Sequence, residues 1–217
     1  MKASLDTNII IHFYRAGLQD ILFNFFDSEV LIHEKILDIE LENHGQDIIE
    51  LINLDIKNGN IELYTNQRLR DLEVDSMFDE RLNDNMMLYS PQDMGEMYAI
   101  SLAQTLGACS LVTDDMKQGG PYMSLLQFED EVIPFNFADI LILRYLEGGA
   151  DENQTILDFK KINEESRMNW TLKSQLVKFY KRFYLDPFFN DKEWINNYIK
   201  EDEIYIKEKL TSLNKLI

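Results

Sequence analysis

A single cysteine, Cys109, in 217 residues leaves the chain without an internal disulfide and without the clustered thiolates of a Cys-based zinc site. The three histidines, His12, His33 and His44, stand at no metal-ligand spacing, so zinc has no handle in this sequence. Long hydrophobic runs are missing too. The apolar stretches at 9–11 and 140–143 are short beside the ~18 residues that a membrane span needs. Asp6 falls where a signal peptide would carry its apolar core, and the chain reads as soluble, cytoplasmic and free of membrane contact. There is no Gly-x-Gly-x-x-Gly, no Gly-Lys-Ser/Thr loop and no Gly-x-Ser-x-Gly elbow, which removes the nucleotide-dependent and serine-hydrolase readings.

Positive charge is also scarce: 21 Lys+Arg face 39 Asp+Glu, a net charge of −18, where a nucleic-acid binder is ordinarily basic. The imbalance is not uniform. Residues 150–217 carry 12 acids and 12 bases, which leaves 27 acids, 9 bases and the whole net charge to residues 1–149. What the chain does have is the composition of a globular protein, 45% hydrophobic and 12% aromatic, with enough residues for a sizeable core.

Strand-like and helical patterns alternate over the first two thirds. A short strand ending in Asp6-Thr7-Asn8 leads into an apolar helix stopped by Gly17, and Val30-Leu31-Ile32 is a second strand. Helical spacing at 36–41 and 48–52 is broken near Asn43-His44-Gly45. The Asn58-Gly59-Asn60 turn precedes an edge strand at 61–65. Ser90-Pro91-Gln92-Asp93 has the form of a helix start, with Ser90 as cap, Pro91 at the first position and Asp93 as the capping acid. That helix runs to Gly107, a buried strand at 108–113 ends in Asp114-Asp115, and a last strand and helix fill 132–146. Strands separated by helices in this way imply right-handed crossovers and a parallel sheet. The expected class is α/β, a three-layer α/β/α sandwich over 1–149, followed by an all-helical extension over 150–217 with the boundary at Gly148-Gly149-Ala150-Asp151.

Open parallel sheets put their chemistry at the C-terminal ends of strands. Asp6 follows the first strand, Asp114 and Asp115 follow the strand at 108–113, Glu96 opens the helix that feeds that strand, and Glu40 lies in the helical stretch after the second strand. Carboxylates gathered in one crevice repel unless a cation joins them, and an all-oxygen set suits Mg²⁺ or Mn²⁺.

Leu5-Asp6-Thr7-Asn8-Ile9-Ile10, Ile39-Glu40-Leu41, Asp93-Met94-Gly95-Glu96 with its following Ala99-Ile100-Ser101-Leu102-Ala103, and Leu111-Val112-Thr113-Asp114-Asp115 resemble, in order and spacing, a PIN-domain nuclease over about residues 1–147. The resemblance implies a Mg²⁺- or Mn²⁺-dependent endoribonuclease in which Asp6, Glu40, Glu96 and Asp114 or Asp115 serve as catalytic acids. Asp6, Glu96, Asp114 and Asp115 are the candidate metal ligands, and Thr7, Asn8, Asp93 and Thr113 support them. It also implies an RNA substrate, and it leaves open a toxin with an antitoxin as protein partner, a maturation nuclease or neither; self-association is open as well. It leaves the last 70 or so residues unexplained.

Each residue also has a plainer role. Asp6 after a strand is ordinarily a helix cap, Asp93 belongs first to the capping box, Asp114-Asp115 is a turn, and His12 is a packed histidine. Lys117 and the tail residues Lys178, Lys181 and Arg182, the last three interleaved with Phe179, Tyr180, Phe183 and Tyr184, are candidate nucleic-acid contacts. The competing account of that tail is an amphipathic helix with its aromatics packed inward. Two other functions compete. A phosphatase of the haloacid-dehalogenase type also opens on a strand-terminal Asp, but it needs a second Asp where this chain has Asn8. A non-catalytic PIN-like module acting through a protein partner is the reading from a different class.

Overall fold

The computed structural model describes residues 1–27, 29–90, 93–127, 131–200 and 203–217, the side chains of Ile39, Glu40 and His44 excepted. The chain divides into two compact units, Met1–Asn136 and Phe137–Ile217.

The first unit is built on five strands: β1 (Ala3–Leu5), β2 (Val30–His33), β3 (Ile61–Tyr64), β4 (Ser110–Val112) and β5 (Ile133–Phe135). They form one sheet in the order β3-β2-β1-β4-β5 with every neighbouring pair parallel. All residues of β1, β2, β4 and β5 are buried, as expected where consecutive side chains point to opposite faces and both faces are covered. The edge strand β3 is the only one with partly exposed residues. The α/β class and the parallel sheet flanked by helices are those expected from the alternation of patterns.

Between β1 and β2 lie α1 (Thr7–Arg15) and α2 (Gln19–Phe25). Between β2 and β3 come a π-helical turn (Ile36–Leu41), the short α3 (Glu42–His44) and α4 (Ile49–Asn58). The passage from β3 to β4 holds α5 (Asn66–Asp71), α6 (Asp75–Leu88) and α7 (Met94–Leu106), and α8 (Pro121–Gln127) precedes β5. The chain moves outward from β1 to β3 and then crosses to β4 and β5. Right-handed crossovers therefore place α1–α4 on one face and α5–α8 on the other, with the reversal of direction between β1 and β4. Helix α7 packs on β1, β2 and β4 and ends at Gly107, whose φ of +62° is the left-handed turn that glycine tolerates.

Several local expectations change. The helix expected at 36–41 is a π-helical turn, and α5 and α6 occupy 66–88, where no periodicity was read. Among the described residues of α6 only Phe78 and Asn85 are buried, so the helix presents too narrow an apolar stripe for the period to show. At the start of α7, Pro91 and Gln92 lie outside the described residues. Asp93 itself holds the cap position, but its side chain makes no capping hydrogen bond. The capping box expected over 90–93 thus falls in part outside the described residues, while the Asp93 carboxylate accepts from the Lys117 ammonium and so joins the crevice acids it was expected to support.

The second unit is helical: α9 (Phe137–Leu146), α10 (Glu152–Ser166), α11 (Leu172–Tyr180) continued by a π-helical turn (Lys181–Leu185), α12 (Phe189–Tyr198) and α13 (Glu203–Lys215). Helix α9, which the sequence pattern assigned to the close of the α/β domain, groups here with the C-terminal helices. Phe137 of α9 packs its ring 5.3 Å from Phe159 and 5.2 Å from Trp170, and Arg144 pairs with Asp158 at 2.8 Å. No helix among the described residues is long and apolar enough to cross a membrane.

Candidate metal centre

The C-terminal ends of β1 and β4 leave the sheet side by side. The Asp6 N–H donates to the Val112 carbonyl at 3.0 Å and the Thr113 N–H to the Phe135 carbonyl at 2.9 Å, so both chains are still held as they exit. This is where an open parallel sheet reverses direction and forms its crevice. Asp6 stands at φ −78° and ψ 158°, and its Oδ1 accepts the Thr7 N–H at 2.7 Å, capping α1. The other oxygen, Oδ2, accepts from the Thr113 hydroxyl at 3.2 Å. One carboxylate thus serves both the cap and the crevice.

Glu96, in the first turn of α7, reaches the same hydroxyl: Thr113 Oγ1 lies 3.1 Å from Glu96 Oε1. Thr113 Oγ1 also accepts the Asp115 N–H at 3.2 Å. A hydroxyl has one proton to give. Two carboxylate oxygens at 3.1–3.2 Å from it are both bonded only when one carboxyl carries a proton of its own or a cation replaces it. Asp6 is 2% and Glu96 4% exposed. Burial raises the Asp6 carboxyl above its ordinary range, against the opposing pull of the Thr7 and Asn8 N–H groups and the Thr113 hydroxyl, and the Asp114 charge adds to the rise. Glu96 is raised as well, by burial first and then by the charges of Asp6 and Asp115.

Asp93, Glu96 and Asp115 form the outer part of the crevice, each offering a carboxylate oxygen within 4.8 Å of the others. The Lys117 ammonium sits among them, 2.5 Å from Asp93 Oδ1, 2.7 Å from Asp115 Oδ2 and 4.0 Å from Glu96 Oε2. Burial works against that charge. The hydrogen bonds to Asp115 and Asp93 and the charge of Glu96 outweigh it and hold the ammonium above its usual range. Asp114 turns the other way: its Oδ2 lies 2.7 Å from Nδ1 of His12 on α1, and its side chain is fully buried.

The structure therefore brings together Asp6, Glu96, Asp93, Thr113, Asp115 and Lys117, with Asp114 close enough to Asp6 to act on its charge. Thr7 is buried and its hydroxyl finds no partner among the described residues, while Asn8 is exposed. The Glu40 side chain lies outside the described residues. Lys178 and Lys181 are exposed, but Arg182 is committed internally, with its guanidinium bonded to both oxygens of Asp191 at 2.7 Å and to Asp139 at 3.3 Å. Reading Arg182 as a phosphate contact is thus corrected, since its side chain is 10% exposed among buried acids. Phe179 and Phe183 are each 1% exposed and pack ring to ring at 4.7 Å, so this pair is core and offers no face to a base.

Two contributions escaped the sequence reading. His12 is packed, as expected, but its partner is a candidate ligand 102 residues away. Lys117, a candidate nucleic-acid contact, is also the counter-charge of the acids. Its position two residues after Asp115 was the available signal.

All donors are carboxylate and hydroxyl oxygens, which suits Mg²⁺ or Mn²⁺ and not a softer ion. A cavity of about 470 Å³ lined by Arg81, Gly107, Cys109 and Val132 lies at the opposite, N-terminal end of β4 and takes no part in this site. No protein-family model, no curated protein and no solved structure matches the chain.

Proposed function

We propose that the chain is a Mg²⁺- or Mn²⁺-dependent nuclease of the PIN type that cleaves single-stranded RNA. The observation that carries this reading is the pairing of Asp6 and Glu96, buried carboxylates from two different elements, on one hydroxyl at the point where the sheet changes direction. Burying two carboxylates this close together is costly unless a cation joins them. Asp6, Glu96 and Asp114 or Asp115 would hold the ion, with Glu40 as the remaining acid of the resemblance. When bound, a divalent ion supplies a water of low pKa and positive charge for the scissile phosphate. The chain's own part is to bury the ligands, to fix Asp6 through the cap of α1 and Glu96 through Thr113, and to keep Asp114 oriented through His12. The acidic surface repels RNA, so affinity has to come from the ion and from the few cations nearby.

Incubating the full chain with an end-labelled single-stranded RNA and Mn²⁺ tests this. Cleavage should appear, stop on adding EDTA, and fall by at least two orders of magnitude in Asp6→Asn. Cleavage that survives both changes, or none with folded, metal-loaded protein, rejects the nuclease.

A second reading, a non-catalytic module that engages a protein partner, is favoured by a groove of about 350 Å³ in the helical unit. Leu176 and Leu210 line its floor, Val177 and Leu185 stand 64% and 70% exposed beside it, and Lys173, Lys181 and Lys207 rim it. That reading expects Mn²⁺ binding to be weak and indifferent to Asp6→Asn.

A further inference from the structure

We propose that Lys117 is a built-in cation that occupies the outer half of the acidic crevice, so that the protein takes one divalent ion, at Asp6 and Glu96, where its acids alone would suit two. The inference rests on the metal-dependent reading above and specifies the occupancy of that site.

The three acids whose oxygens converge within 4.8 Å, Asp93, Glu96 and Asp115, are the ones around the Lys117 ammonium. The lysine is held there by its own turn. Its N–H donates to Asp115 Oδ1 at 3.0 Å while its ammonium takes Asp115 Oδ2 at 2.7 Å, and its carbonyl accepts the Gly120 N–H at 3.1 Å. Gly120 leaves room for the stem: a Cβ on that residue would lie 2.9 Å from Lys117 Cγ and 3.3 Å from the Lys117 carbonyl oxygen. Backbone and carboxylate direct the ammonium at the acids, and the glycine gives it space.

The crevice then has two unequal halves joined by Glu96. Its Oε2 faces the ammonium at 4.0 Å, and its Oε1 faces the Thr113 hydroxyl, beyond which lies Asp6. The outer half already holds a full positive charge. The inner half holds a hydroxyl, which offers one proton to two buried carboxylates. A dication gains most where no cation sits, and an ammonium within a few ångströms repels a second one. The lysine side chain is 44% exposed, so the ammonium can also meet an incoming phosphate.

The test is a count of bound Mn²⁺ on the full chain, by calorimetry and by the loss of the free-ion paramagnetic resonance signal, with circular dichroism melts to confirm folding. Wild type should bind one ion. Lys117→Met, which keeps the stem and removes the charge, should bind two, or bind the first at least tenfold more tightly. Lys117→Arg should keep a single ion. Should Lys117→Met prove unstable, Lys117→Gln serves the same purpose. Two ions on wild type overturn the inference and leave the metal-dependent reading standing. One ion at unchanged affinity on both wild type and Lys117→Met also overturns it. No ion on any of the proteins rejects the metal-dependent reading itself.

Discussion

Asp6 and Glu96, 90 residues apart in sequence, converge on a single hydroxyl, that of Thr113, at 3.2 and 3.1 Å. Thr113 also receives the Asp115 N–H, so it ties together β1, α7 and the turn after β4. Thr113→Val keeps the shape and removes every one of these bonds. In metal-free protein the loss should cost about 1–3 kcal/mol, the scale of leaving buried polar groups unpaired. Thr113→Ser should restore most of it. Urea denaturation of the three proteins in EDTA decides the matter, and equal midpoints for valine and threonine would show that the hydroxyl holds nothing.

The same pair gives a pH dependence whose sign is fixed. Both carboxyls are raised above their ordinary range in the folded protein, Asp6 mainly and Glu96 first of all by burial. The native state therefore binds protons that the unfolded state has released, and stability falls as pH rises from the ordinary carboxylate range of about 4 upward. Metal-free protein should have a lower melting temperature at pH 8 than at pH 5.5 from this contribution. Glu96→Gln should flatten that slope, and Mn²⁺ should reverse it. At a hundredfold excess over its dissociation constant a ligand adds about 2.7 kcal/mol, which is roughly 5–10 °C for a protein of this size. Melts at both pH values, with EDTA and with Mn²⁺, check each part.

In the helical unit Arg182 is the counterpart of this centre, a cation among acids. Its guanidinium holds Asp191 and Asp139, both nearly buried. Removing one member of a buried charge cluster leaves the others uncompensated, and Arg182→Ala should destabilise by about 3–5 kcal/mol. Lys178→Ala, on an exposed position four residues earlier, should stay within about 0.5 kcal/mol. If the arginine variant loses RNA affinity at unchanged stability instead, Arg182 is a nucleic-acid contact after all.

The sheet and the acids were legible in sequence for different reasons. Short apolar runs ending in Asp6 and in Asp114-Asp115 announce strands with their C-terminal ends, and helical spacing up to Gly107 announces α7, because these segments are buried on every side. Helices α5 and α6 were not legible, since among their described residues Leu69, Phe78 and Asn85 alone are buried and the period is lost among polar residues. Asp93 carries two roles in the sequence reading because a capping acid and a crevice acid have the same sequence position. Only the partner, Lys117, distinguishes them, and that contact spans 24 residues. The pairing of His12 with Asp114 was hidden by distance along the chain, as side-chain partners across a sheet are in general.

Asp114 and Asp115 are adjacent acids with opposite surroundings, and substitution should separate them. Asp114 is fully buried at its side chain and sits 2.7 Å from His12 Nδ1, whereas Asp115 is 29% exposed and engages the ammonium and backbone N–H of Lys117. Asp114→Asn weakens a charge-assisted bond where solvent cannot compensate, so it should cost about 1–3 kcal/mol. It should also change Mn²⁺ binding, because the charge of Asp114 acts on Asp6. Asp115→Asn should cost under about 1 kcal/mol, the value of a half-exposed pair, and should chiefly free Lys117. Denaturant midpoints and Mn²⁺ titrations of the two variants give four numbers. The greater weight of Asp114 is refuted if Asp115→Asn proves the more damaging to both stability and metal affinity.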